Sequence, residues 1–237
     1  MRGTLLNVAT VLAGAALGVL LGSRVPERVR RTVMDALGLF TLVIGFTNAA
    51  DTFGDTLADT VGQAAVLLVL GALLVGGVLG ELMNLDGALQ RVGERLRARV
   101  APSGASFVEG FMVASLVFCV GPLTVLGALQ DGLTGDYQLL AIKSLLDGFA
   151  ALAFASALGI GVGFSALTVL VVQGGIALGA SALDGVLTDA MLAGMNAVGG
   201  VLILGIALRL LEVREIRVAN LLPAIVLAPL AIGLWPS

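Results

Sequence analysis

Apolar residues run through this chain in long unbroken blocks, and short segments between the blocks carry most of the charge. A helix needs about 20 apolar residues to cross the hydrocarbon of a bilayer. The blocks predict spans near 4–22, 33–50, 62–83, 105–129, 138–158, 162–181, 187–209 and 218–235. The predicted fold class is all-α: a polytopic transmembrane helical bundle of about eight spans, one integral membrane domain over 1–237. The fifth and sixth spans share one apolar run broken only by Gly159-Ile160-Gly161-Val162-Gly163, so a seven-span reading stays open.

Composition agrees with the pattern. Of 237 residues, 58% are hydrophobic and 12% charged, against about 45–50% and about 25% in soluble domains. A soluble globular protein is excluded. With no His and only Cys119, an intrachain disulfide, a Cys/His zinc cluster, a His-ligated haem and a His-based nucleophile are excluded too. A net charge of −3 argues against a nucleic-acid partner, which calls for a basic patch.

The arginines sort by loop. Arg24, Arg28, Arg30 and Arg31 follow span one, Arg91, Arg95, Arg97 and Arg99 follow span three, and Arg209, Arg214 and Arg217 follow span seven. The opposite connections carry Asp51, Asp55 and Asp59, then Asp131 and Asp136, then Asp184 and Asp189, with no Lys or Arg. Basic loops mark the cytoplasmic side. Both termini are therefore expected outside, in a bacterial inner membrane. Span one has arginines behind its apolar core, not ahead of it, and reads as a retained helix, not a signal peptide. Residues 82–100 set Leu82, Leu85, Leu89, Val92 and Leu96 opposite the arginines, as in an amphipathic helix lying on anionic lipid.

A shift of 161 residues aligns Gly14-Ala15-Ala16-Leu17-Gly18 with Gly175-Ile176-Ala177-Leu178-Gly179, and Met34-Asp35-Ala36-Leu37-Gly38 with Met195-Asn196-Ala197-Val198-Gly199. Spans one and two would then match six and seven in opposite orientation, as in the inverted repeats of secondary transporters. The competing reading is small residues placed for close helix packing.

Ionisable groups at membrane depth cost about 2.5–3.5 kcal/mol on insertion scales and need a partner or a purpose. Span four holds Glu109 and Ser115, then Gly121-Pro122, which predicts a kink or break. Span five holds Lys143 and Asp147, four residues apart on one helix face. These residues, with the amide of Asn196 on span seven, are the candidate binding site for an ion or small solute; a charge pair that only settles helix packing is the alternative. Asn7, Asn48 and Asn220 read as helix cross-links, Asp51, Asp55 and Asp59 as an acidic vestibule or ordinary loop residues, and Cys119 as a packing residue.

Gly3-Thr4 with Asn7, Phe107-x-Glu109-Gly110-Phe111, Ser115-Leu116-x-Phe118-Cys119-x-Gly121-Pro122, Leu129-Gln130-Asp131-Gly132, Gly135-Asp136, Lys143-Ser144-x-x-Asp147-Gly148, Gln173-Gly174 and Asn220-Leu221-Leu222-Pro223-Ala224 together resemble the pattern of the bacterial domain-of-unknown-function 554 membrane family. That resemblance implies a polytopic inner-membrane protein and carries no activity with it. The residues themselves point to a transporter or channel for a cation or small solute, homo-oligomeric because one protomer is small. No catalytic residue or cofactor is expected beyond a bound monovalent cation. The alternatives are a noncatalytic assembly or lipid-sensing module acting through residues 82–100, and an intramembrane enzyme built on Asp131, Asp136 and Asp147.

Overall fold

The structure, a computed structural model, describes residues 1–22, 26–101, 104, 106–120, 122–183 and 186–235. Arg24, Asp184 and Gly121 lie outside the described residues, as do the side chains of Arg30 and Pro122. Regular structure among the described residues is helical. The helices are α1 (Arg2–Gly22), α2 (Glu27–Ala49), α3 (Asp55–Val61), α4 (Ala65–Met83), α5 (Leu85–Val100), α6 (Phe107–Cys119), α7 (Pro122–Leu133), α8 (Gln138–Leu158), α9 (Gly161–Leu178), α10 (Ala180–Leu183), α11 (Asp189–Leu210) and α12 (Pro223–Gly233).

Among the described residues, five stretches are long and apolar enough to cross a membrane: Arg2–Gly22, Arg31–Met83, which contains most of α2 and all of α3 and α4, Gln138–Leu158, Gly161–Leu178 and Asp189–Leu210. The pair α6 and α7, bent by 64°, makes a further one, and Val218–Gly233 is apolar but shorter. That last stretch joins a 3-10 turn over Val218–Leu221 to α12, which opens at Pro223.

The burial pattern shows which solvent these helices meet. On α8, Leu145 and Phe149 are 61% and 68% exposed, whereas Lys143 and Asp147 are 6% and 8% exposed. A helix that turns its charges inward and its large apolar side chains outward is built for lipid. The protein is a multi-pass helical membrane protein in contact with the bilayer.

The chain forms two compact units, Met1–Leu37 with Leu89–Asp184, and Gly38–Ala88 with Gly185–Ser237. In the first, α1 lies along α8. A methyl group at Gly14, Gly18 or Gly22 would overlap the carbonyl oxygens of Gly148, Leu152 and Ser156. Both series advance by four residues in the same direction, so the helices are parallel, with their backbones brought together by small residues. Against α9 the sense reverses, since Gly163 meets Ala15 while Gly174 meets Met1. Parallel to α9 runs α6, with Gly161 against the Phe107 carbonyl and the Ser115 and Thr168 hydroxyls bonded at 2.9 Å.

In the second unit, α2 and α11 are antiparallel, with Gly45 against Leu204 and Gly200 against Ala49. Also antiparallel are α4 and α12, where Gly76 meets Ala224 and Gly80 meets the turn at Asn220. The matched glycines of the 161-residue shift meet different surroundings: Gly14 and Gly18 are pressed onto α8, whereas a methyl at Gly175 would meet nothing within 4 Å.

The predicted amphipathic stripe divides. Leu89 and Leu96 of α5 pack on the Phe107, Phe111 and Met112 cluster, while Val92 of α5 and Leu82 at the end of α4 stay exposed.

Candidate functional site

The break in the fourth apolar stretch sets up the site. In an α-helix, the carbonyl of residue i accepts the N–H of residue i+4. For Phe118 that donor would be residue 122, a proline, which has no N–H. The last bond of α6 runs from the Val120 N–H to the Leu116 carbonyl at 3.0 Å. The Phe118 carbonyl instead accepts the Thr124 hydroxyl at 3.2 Å and the Lys143 ammonium at 2.8 Å. Thus the proline frees a carbonyl within the protein, and a lysine from α8 takes it.

The same ammonium forms a short ion pair with Asp147 one turn along α8. The carboxylate oxygen in that pair also accepts the Asn7 amide of α1 at 2.9 Å. Four elements thus converge: the end of α6, the start of α7, one face of α8 and the first turns of α1. An ammonium, a carboxylate, a carbonyl, a hydroxyl and an amide meet there, and Asn7 and Thr124 are fully buried. Opposite charges side by side make a neutral site. Protonating the carboxylate, or bringing a second cation to it, would loosen the ammonium, so the pair is suited to exchanging one positive charge for another.

The predicted residues do not all gather here. Lys143 and Asp147 do, through the Phe118 carbonyl. Ser115 lies one turn before Phe118 on α6 and is bonded to Thr168 of α9. Pro122 contributes through its backbone, while Gly121 lies outside the described residues. Half-buried Glu109, in the first turn of α6, stands nine residues before Phe118, about 13 Å along the helix axis. Its neighbour Gly110 packs on Leu158, at the far end of α8 from Lys143. Glu109 and Asp147 do not share a site.

Asn196 belongs to the second unit, where its amide makes a short hydrogen bond to Asp51 in the 3-10 turn that follows α2. Asp55 and Asp59 are exposed on α3. At another point of that unit, Glu81 takes the Arg217 guanidinium at 2.6 Å and the Asn220 side-chain NH₂ at 2.5 Å, while Asn220 Oδ1 accepts the Asp86 backbone N–H at 2.7 Å. In the sequence, Asn7 and Asn220 read only as helix cross-links, and nothing marks Thr124 or Glu81. The one available signal was the count of four back from Pro122, which names Phe118 as the freed carbonyl.

Asp131, near the end of α7, is 3% exposed. It receives the Met1 amine at 2.8 Å and the N–H groups of Gly3 and Thr4 at 3.0 and 3.5 Å, all on one oxygen. A carboxylate is favoured at a helix N-terminus, and here it fastens α1 to α7.

The sequence pattern of the family described as a protein of unknown function (DUF554) matches residues 2–232. The chain belongs to the DUF554 family. Among its relatives is the uncharacterized protein YqgA of Escherichia coli (strain K12), 32% identical over 240 residues, covering 99% of this chain and 97% of that protein. Another is the uncharacterized membrane protein YdfK of Bacillus subtilis (strain 168), 28% identical over 232 residues, covering 98% and 96%. No solved structure matches this DUF554 chain.

Proposed function

We propose that this protein transports a cation or small solute across a bacterial inner membrane, with Asp147 and Lys143 as the exchanging pair and the Phe118 carbonyl as a third ligand. The observation that carries this reading is the Lys143 ammonium shared between Asp147 and a carbonyl that Pro122 leaves free. Broken helices in transporters present freed carbonyls to ions in the same manner. The protein performs no chemical conversion, needs no cofactor beyond a bound monovalent cation, and works as a homo-oligomer with lipid as its surroundings.

Both termini lie outside in this reading. The directions of α1, α2, α4, α6, α8, α9, α11 and α12 within their own units support an eight-span alternation: parallel pairs are an even number of spans apart and antiparallel pairs an odd number.

Purified protein in liposomes tests the proposal by flux of H⁺, Na⁺ and K⁺. Asp147→Asn should abolish flux and Glu109→Gln should not. Full flux in Asp147→Asn would overturn the assignment. A second reading, a lipid-sensing module, is favoured by the exposure of Val92 on α5, the helix that carries Arg91, Arg95, Arg97 and Arg99. It predicts that replacing Arg91, Arg95, Arg97 and Arg99 removes function while Asp147→Asn does not.

A further inference from the structure

In the first unit, a groove of about 600 Å³ runs between α1 and α9. Its floor is made of small residues, with Ala15, Gly163 and Ala166 buried. Its rim is made of large ones, with Leu12, Leu20 and Leu167 exposed. Every side chain that lines it is apolar, so it offers nothing to an ion. On the outside of a membrane helix pair, such a groove opens to hydrocarbon.

The ends of the groove fix its depth. Leu20 stands just before the end of α1 and Ile160 just before the start of α9, so one end of the groove opens where both helices reach the membrane surface. The other end lies at Val8 and Leu170. Val8 to Leu20 is about 18 Å along α1, and Ile160 to Leu170 is about 15 Å along α9. One leaflet's share of a hydrocarbon core about 30 Å thick is about 15 Å. The groove is therefore one leaflet deep. A volume of about 600 Å³ over about 18 Å leaves a cross-section of about 33 Å². A helix with its side chains, about 10 Å across, takes about 80 Å². No helix of a second copy enters a slot this narrow, whereas an unbranched hydrocarbon chain does.

What stands at the surface end selects the headgroup. Phe164 in the groove wall has its ring centroid 5.3 Å from that of Phe107. Phe107 begins α6, and its carbonyl packs on Gly161 at the start of α9. Leu96 of α5 packs on the same Phe107 cluster, and its neighbours in sequence are Arg95 and Arg97, with Arg99 in the last turn of α5. Arg95 and Arg99 are exposed. From Arg91 to Arg99, four arginines are set against one acid, Glu94. The basic part of α5 is thus held beside the end of the groove where α9 starts.

We infer that the groove between α1 and α9 seats one acyl chain of an anionic phospholipid, with the phosphate of its headgroup against the arginines of α5. The chain gains no hydrophobic transfer energy by entering, since lipid tails are as apolar as the walls; close van der Waals packing along floor and rim is what holds it. Charge then chooses among headgroups, because basic residues attract anionic lipid over about a Debye length. The inference stands apart from the transport reading. It also goes beyond a helix resting on a lipid surface, because a single seated lipid ties α5 to α1 and α9.

Tryptophan quenching by lipids with brominated chains tests it in the full-length protein. Trp235 is the single tryptophan, so Trp235→Phe gives a silent background. Two reporters are added to it separately: Leu167→Trp on the groove rim, and Phe149→Trp on the lipid-facing side of α8. They stand at similar depth, since Gly163 meets Ala15 and Gly148 meets Gly14. Each protein is placed in phosphatidylcholine vesicles that contain brominated phosphatidylglycerol or brominated phosphatidylcholine. At position 167 the anionic lipid should be preferred about fivefold or more, the effect of one or more basic residues near its headgroup. At position 149 the preference should stay near one. Ala16→Phe, which fills the groove from an exposed position, and the surface pair Arg95→Gln with Arg99→Gln should each bring position 167 down to the value at 149. Equal preference at the two reporters overturns the inference, as does a preference that survives both sets of substitutions. Quenching at position 167 by neither lipid also overturns it, because a protein surface then covers the groove. The assay reads lipid contact and not flux, so its failure leaves the transport reading untouched.

Discussion

Removing the Lys143 ammonium strands a carboxylate that is 8% exposed. In Lys143→Met, Asp147 keeps only the Asn7 hydrogen bond, and the Phe118 carbonyl keeps only Thr124. Breaking a buried ion pair from one side costs about 3–5 kcal/mol. Asp147→Leu strands the ammonium in turn and should cost a similar amount. Together, the two changes leave no charge behind. Thr124 still serves Phe118, so the principal remaining loss is the Asn7 amide, about 1–3 kcal/mol. The double variant should therefore be about as stable as either single variant or more so, and a double-mutant cycle should give a coupling energy of at least about 3 kcal/mol. Reversible unfolding in mixed detergent micelles, followed by helical circular dichroism, measures all four proteins. Effects that add to within about 0.5 kcal/mol would refute the reasoning, because independent sites behave that way.

Other outcomes follow from the same contacts. Gly18→Val forces a side chain into the Leu152 carbonyl and should cost about 1–3 kcal/mol by overpacking, read in the same unfolding assay; an unchanged midpoint would mean that α1 and α8 are farther apart. Thr124→Val removes one of two donors to the Phe118 carbonyl and should cost about 1 kcal/mol while leaving Lys143 in place, so flux should persist. Pro122→Ala supplies an N–H that competes with Lys143 for that carbonyl and should reduce flux without lowering stability. In the second unit, Asn196→Leu leaves Asp51 without its amide and should destabilise by about 1–3 kcal/mol, with no direct loss at the Asp147 site.

Local signals were legible where a contact lies within one helix or one turn. The four-residue spacing of Lys143 and Asp147 named an ion pair, and that pair forms. Gly121-Pro122 named a break, and two helices meet there at 64°. The reading was weaker wherever the partner comes from far along the chain. Asn7 lies 140 residues from Asp147, and nothing in the spacing of either residue points to the other. Glu109 attracted notice because a charge within an apolar stretch is costly, but its distance along α6 separates it from the break. The stripe on residues 82–100 showed where the apolar side chains lie, not what covers them: Leu89 and Leu96 are covered by α6, and Leu82 is not.

The partners of α1 have a consequence for how the protein is made. Gly3 is bonded to a residue 128 positions later and Asn7 to one 140 positions later. At about 5–20 residues per second, roughly 7–28 seconds separate the synthesis of the first helix from that of Asp147. Throughout that interval the Asn7 amide and the small-residue face of α1 have no native partner. Helix α1 therefore stays unlocked until α7 and α8 have been made, whereas α2 and α4 wait longer still, for α11 and α12.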